Sequence, residues 1–186
     1  MAGEGRNQLR VGLLGAGYIA PFHAEAVRRS RVGELACVCD RSLERAKALA
    51  DAYRIPEAYD SLDMMLAKAR LDAVHVLLPA EWHGPAAASL IEHGVAAFLE
   101  KPMAQNAGTC QEIVELAAKR GVFVVVSHNF LFSEPYERLT RALADGFLGP
   151  LKHVEIHWAK ELPFVTYGPF DSWLLSEPGH VMLEVA

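Results

Sequence analysis

The 186-residue sequence predicts a doubly wound α/β fold, a parallel sheet with helices on both faces, followed by the start of a second, open-sheet α/β domain. Three observations predict it. An apolar run from Leu9 breaks into closely spaced glycines, Gly12, Gly15 and Gly17, where a helix can begin. Short, uniformly apolar runs then alternate with helix-period segments as far as Ser127, as strands covered on both faces should. Beyond Ser127 a helical stretch gives way to strict apolar–polar alternation, which suits a sheet with one open face.

The first strand spans Leu9 to Leu14 and runs into Gly15-Ala16-Gly17-Tyr18-Ile19-Ala20, the opening of a dinucleotide-binding βαβ unit of the Rossmann type. Gly15 allows the tight turn, Gly17 lets backbone approach a pyrophosphate, and small Ala20 lets the helix pack on the strand. The phosphates would lie at the positive end of that helix. The next apolar run, Leu35 to Cys39, ends in Asp40, where such folds place the acid that binds the adenosine ribose hydroxyls. Capping the following helix is a second role open to Asp40, and the two are compatible. A carboxylate there favours NAD, because it accepts both hydroxyls and repels an added 2′-phosphate. Arg41 beside it could bind that phosphate, which keeps NADP as the alternative.

Further strands fall at Ala73 to Leu78, Val95 to Leu99 and Val122 to Val126. The segment Ser42 to Tyr53 carries Leu43, Ala46, Leu49 and Ala50 at helical spacing, and Ser61 to Ala69 carries Leu62, Met65 and Leu66. Ser42 and Ser61 are candidate N-caps. Pro85 to His93 and Asn106 to Arg120 are helices stopped by Gly94 and Gly121. The dinucleotide-binding domain is therefore residues 1–127. Residues 128–186 hold a helix from Glu134 to Ala144, with Tyr136, Leu139, Ala142 and Leu143 inward, then a strand from Leu151 to Lys160 that starts a domain the chain does not finish.

A formal charge of −5 with no basic run argues against nucleic acid, and 52% hydrophobic with 22% charged residues describes an ordinary soluble globule. No signal-peptide core is present and no stretch reaches the roughly 18 apolar residues of a membrane span, so a cytoplasmic protein is expected. Cys37, Cys39 and Cys110 lack disulfide or zinc spacing and read as free thiols. His153, Glu155 and His157 share one strand face, but a ladder spaced by roughly 7 Å needs partners from another strand to hold one ion. No metal site is expected.

Gly15 to Ala20, Leu78-Pro79-Ala80-Glu81-Trp82-His83, Glu100-Lys101-Pro102 and Asn129-Phe130-Leu131-Phe132 resemble, in order and spacing, the Gfo/Idh/MocA family of glucose–fructose oxidoreductase and inositol dehydrogenase. The resemblance covers essentially the whole chain. It implies an NAD(P)-dependent enzyme that oxidises an alcohol or reduces a ketone of a sugar, polyol or cyclitol, with a second domain that pairs subunits into a homo-oligomer. It makes Lys101 the catalytic residue, hydrogen-bonding the substrate hydroxyl and stabilising the alkoxide, with a peptide before Pro102 that is often cis. It places Leu78, Pro79, His83, Glu100 and Asn129 near the cofactor; helix capping is the other role open to His83, and a surface loop the other for Lys101. Leu131 departs from the pattern, standing where an arginine is frequent, so that guanidinium's contacts do not carry over.

In similar proteins a segment of the form Asp-x-Gly-x-His supplies the general acid/base. Glu184-Val185-Ala186 aligns with its start, and the sequence ends before the histidine. Since a positioned acid/base contributes roughly a hundred- to ten-thousand-fold in rate, hydride transfer by these residues alone is expected to be impaired. The rival from another class is a non-catalytic dinucleotide-binding module, a redox sensor or scaffold. A methyltransferase reading of the glycine turn leaves Glu100-Lys101-Pro102 unexplained.

Overall fold

The computed structural model describes residues 8–155 and 157. The chain divides into two compact units, Met1–Ser127 and His128–Ala186. In the first unit the strands β1 (Leu9–Leu14), β2 (Gly33–Cys39), β3 (Glu57–Tyr59), β4 (Ala73–Val76), β5 (Ala96–Leu99) and β6 (Val124–Val126) form one all-parallel sheet. Their spatial order is β3-β2-β1-β4-β5-β6. This is the doubly wound order, in which the winding reverses between β1 and β4.

Successive residues of a strand point to opposite faces, and here both faces are buried. Leu13 and Val38 face one core with Ala20 and Ala24 of α1 (Ala20–Ser30) and Ala46 and Leu49 of α2 (Leu43–Tyr53). Leu14, Val74, Val76, Ala97 and Leu99 face the other, with Met65 of α3 (Leu62–Lys68), Leu90 and Ile91 of α4 (His83–Glu92) and Ile113 of α5 (Ala107–Arg120). The cysteines are free, and burial pushes the thiols of Cys37 and Cys39 up to about 12 and about 11, leaving them protonated at neutral pH.

The caps are those the residue types dictate. Ser42, Ser61 and Asn106 accept from the amides of Arg45, Met64 and Thr109, and Gly121 ends α5 at φ +65°. β3 is an addition to the expected strands, and β4 ends two residues short of Leu78.

In the second unit a 3-10 turn at Asn129–Phe132 leads into α6 (Glu134–Ala144), which carries the ion pairs Arg138–Glu134 and Arg141–Glu137. No residue of α6 is buried, and Tyr136 and Leu139 are exposed, so the inward face expected for it is not packed among the described residues. The strand expected from Leu151 to Lys160 is also corrected. Leu151–Glu155 and His157 belong to no strand, and the rest of that segment lies outside the described residues. Alternation alone does not make a strand; a neighbour must take its backbone hydrogen bonds, and among the described residues none does so for Leu151–Glu155. Among the described residues no helix is long and apolar enough to cross a membrane.

Candidate functional site

At the reversal of winding, β1 turns into α1 on one face and β4 into α4 on the other, which leaves a crevice at the carboxyl ends of these two strands. The β1–α1 turn is cut to fit it. Gly15 is buried at φ +109°, its N–H donates to the Cys39 carbonyl at 2.7 Å, and a Cβ there would stand 2.7 Å from the Leu77 carbonyl oxygen. Only glycine passes between the two strand ends. Gly17 is exposed, and a Cβ on it would meet nothing within 4 Å.

The amides of Gly17 and Tyr18 donate to no described residue, and Ile19, at the N-cap position before α1, supplies no side-chain cap. Pro21, which has no N–H, lies in its first turn. Free amides, an uncapped helix start and open space above Gly17 are the donor set that a pyrophosphate needs. The residues present therefore fit a dinucleotide. Ala20 is fully buried against the sheet, while Tyr18 is 87% exposed and meets the Phe22 ring at a tilt of 53°.

Asp40 follows β2 directly, beside this turn, and is buried. Its Oδ2 accepts from the Ala16 amide at 2.9 Å, and its Oδ1 accepts from the Ser42 amide at 2.8 Å and from Arg45 Nη2 at 2.7 Å. Burial works against its charge, but the donors from Ser42, Ala16 and Arg45 outweigh burial and hold the carboxyl below its usual range. Ser42, not Asp40, is the side-chain cap of α2. Arg41 is exposed.

On the far side of the crevice, β4 leads through half-buried Leu78 and exposed Pro79 to His83, and β5 leads to Glu100 and half-buried Lys101. The Lys101–Pro102 peptide is cis. His83 is 1% exposed, and its ring nitrogens lie 2.7 Å from the carbonyl oxygens of Leu78 and Pro102. It clips the turn after β4 to the loop after β5, and it caps no helix through its side chain.

Glu100 is fixed just as tightly. Its Oε1 lies 2.9 Å from Nε2 of His23, on α1, and its Oε2 accepts from the Lys101 amide at 3.2 Å. Burial raises its pKa, but hydrogen bonds from His23, Ser127 and the Lys101 amide lower it further, so the group stays ionised. Nδ1 of His23 lies 3.0 Å from Nδ1 of His75, whose ring packs at a tilt against Phe98. Burial, with His23 beside it, pushes His75 down to about 4 against a smaller pull from Glu100. Asn129 belongs to the second unit, where it opens the 3-10 turn. Among the described residues no group of three His, Cys, Asp or Glu side chains could hold a metal ion.

Residues 9–128 match the oxidoreductase family with an NAD-binding Rossmann fold, Gfo/Idh/MocA. The chain belongs to this family. It is 31% identical over 159 residues to trans-1,2-dihydrobenzene-1,2-diol dehydrogenase of Bos taurus, covering 84% of this chain and 48% of that protein. It is 30% identical over 148 residues to inositol 2-dehydrogenase of Rhizobium meliloti, covering 80% of this chain and 44% of the relative. Among solved structures, the WlbA dehydrogenase from Bordetella pertussis in complex with NADH and UDP-GlcNAcA superposes with a TM-score of 0.72 at 26% identity, over 76% of this chain and 43% of that one. The chain thus spans less than half the length of these relatives.

Within this Gfo/Idh/MocA unit, Gly15, Ala16, Gly17, Tyr18, Ile19 and Asp40 gather at one end of the crevice, while Leu78, His83, Glu100 and Lys101 gather at the other. Three participants went unnoticed in the sequence: His23, His75 and Arg45. His75 had a signal, since a lone polar residue in the apolar run Ala73 to Leu78 must find a partner once both faces are buried. His23 and Arg45 lie on helical segments whose periodicity says nothing of their partners.

Proposed function

We propose that this chain is the dinucleotide-binding part of an NAD(P)-dependent oxidoreductase that moves a hydride between nicotinamide and a secondary alcohol or ketone of a sugar, polyol or cyclitol. The observation that carries the reading is the turn at Gly15–Tyr18, with its free amides and open face at the point where the winding reverses. Relatives named for inositol and glucoside oxidation support the substrate class. The bound dinucleotide supplies the hydride acceptor or donor.

The chain's own residues do the rest. Gly17 and Tyr18 amides hold the pyrophosphate, and Asp40 stands at the adenosine ribose. The Lys101 ammonium binds the reacting hydroxyl and stabilises the charge that builds on its oxygen. Glu100 and His83 fix the loop that carries Lys101, through its amide and through the Pro102 carbonyl. Asn129 is assigned to the cofactor and substrate by its place in the family pattern.

The test is NADH binding by fluorescence titration of wild type and Gly17→Val. Because a Cβ at Gly17 meets nothing, valine leaves the melting temperature unchanged and fills the phosphate space, weakening NADH by tenfold or more. A valine variant that folds and binds NADH like wild type overturns the assignment of this turn.

A further inference from the structure

We propose that Arg45 sets the choice of cofactor: by neutralising Asp40 it opens the adenosine end of the site to a 2′-phosphorylated dinucleotide as well as to NAD. This rests on the reading that the adenosine ribose lies at Asp40. A carboxylate selects NAD by offering free oxygens to both ribose hydroxyls and unscreened negative charge to a phosphate. Asp40 offers neither in full. Of its roughly four lone-pair positions, three are taken by Ala16 N–H, Ser42 N–H and Arg45 Nη2, so at most one ribose hydroxyl can be accepted directly. Its charge is matched by a guanidinium at 2.7 Å, and exposed Arg41 adds a second cation next to it. The three groups together carry a net charge of about +1.

Arg45 is also poorly placed for helix stability. It is the third residue of α2, where a cation opposes the helix dipole. Its side chain is 53% exposed, and beyond the contact with Asp40 its guanidinium donates to no described residue. Those N–H groups are in the fork geometry that suits phosphate. Asp40 thereby becomes chiefly a brace, tying the glycine turn to the turn after β2, and Arg45 becomes the group that discriminates.

The experiment is titration of the full 186-residue chain with NADH and NADPH, for wild type, Arg45→Met and Arg45→Lys, with thermal unfolding as the control for folding. Wild type is expected to bind both nucleotides within about tenfold of each other. Arg45→Met should shift the ratio of the two dissociation constants at least tenfold toward NADH, the range of one charge-assisted hydrogen bond. Arg45→Lys, which keeps the cation and serves if the methionine variant does not fold, should lose less than Arg45→Met and leave NADPH binding sensitive to salt. A ratio that stays within threefold of wild type in Arg45→Met, or wild type that rejects NADPH more than a hundredfold, overturns the role of Arg45 while leaving the crevice assignment standing. Wild type that binds neither nucleotide overturns the crevice assignment itself.

Discussion

Gly15 and Gly17 stand two residues apart and serve different ends. The backbone of Gly15 is in a region that L side chains rarely adopt, and the Leu77 carbonyl fills the space a methyl group would need. Gly15→Ala is therefore expected to cost more than about 2 kcal/mol, read as a lower midpoint in chemical denaturation. Gly17 has neither restriction, so substitution there tests the proposed phosphate contact without straining the turn. A Gly15→Ala variant as stable as wild type would show that the strand ends can part at no cost. Asp40 combines both kinds of role in the function proposed above, since its carboxylate serves the fold through two amides and is assigned to the ribose through whatever capacity remains. Asp40→Ala should accordingly lower stability as well as NADH affinity, with about 1 to 3 kcal/mol in the stability term from the amides left unpaired.

Five of the six strands were legible because a strand buried on both faces must be largely apolar, with Arg10, Glu34 and His75 the polar exceptions, and the chain offers few other such runs. β3 was not, because Glu57-Ala58-Tyr59 is short, carries a charge and is fixed by partners distant in sequence, pairing with Cys37–Cys39 at the sheet edge and packing Ala58 and Tyr59 against the two cores. β4 stops at Val76 although Leu77 and Leu78 are apolar, because past Val76 the chain turns away to α4 and the Leu78 carbonyl is taken by His83. The glycine turn and Asp40 could be read from spacing, since each needs a particular residue type at a particular strand end. The partners of Glu100 could not, because nothing local says that His23, 77 positions earlier, will meet it. Packing between α4 and α5 is of the same kind: a Cβ on Gly84 would lie 2.7 Å from the Thr109 methyl. Gly84→Val is expected to cost about 1 to 3 kcal/mol, and Thr109→Ser, which deletes that methyl, should recover part of it. Strictly additive losses in the double variant would mean the two helices do not meet there.

Across the nucleotide-binding unit as a whole, the His23–Glu100 contact joins α1 to the lysine loop, and His75 joins the same cluster to the sheet, so acid should act on both halves of the crevice together. The folded protein holds His75 at about 4, below its ordinary 6.5. The unfolded chain therefore binds more protons between those values, and the contribution of neutral His75 is complete above pH 6.5 and is lost as pH falls toward 4. His23 and Glu100 are the ionisable groups that face His75. Asp40 and Glu100, both held low, add their own loss only as the pH drops below their ordinary 3.8 and 4.5. Unfolding free energy should thus fall by about 2 kcal/mol between pH 7 and pH 5, before the carboxylates take part. His75→Phe, which keeps an aromatic ring beside Phe98, should flatten that slope while leaving the steeper loss below pH 4. An equal slope from pH 7 to pH 5 in wild type and variant would assign the acid sensitivity to another group.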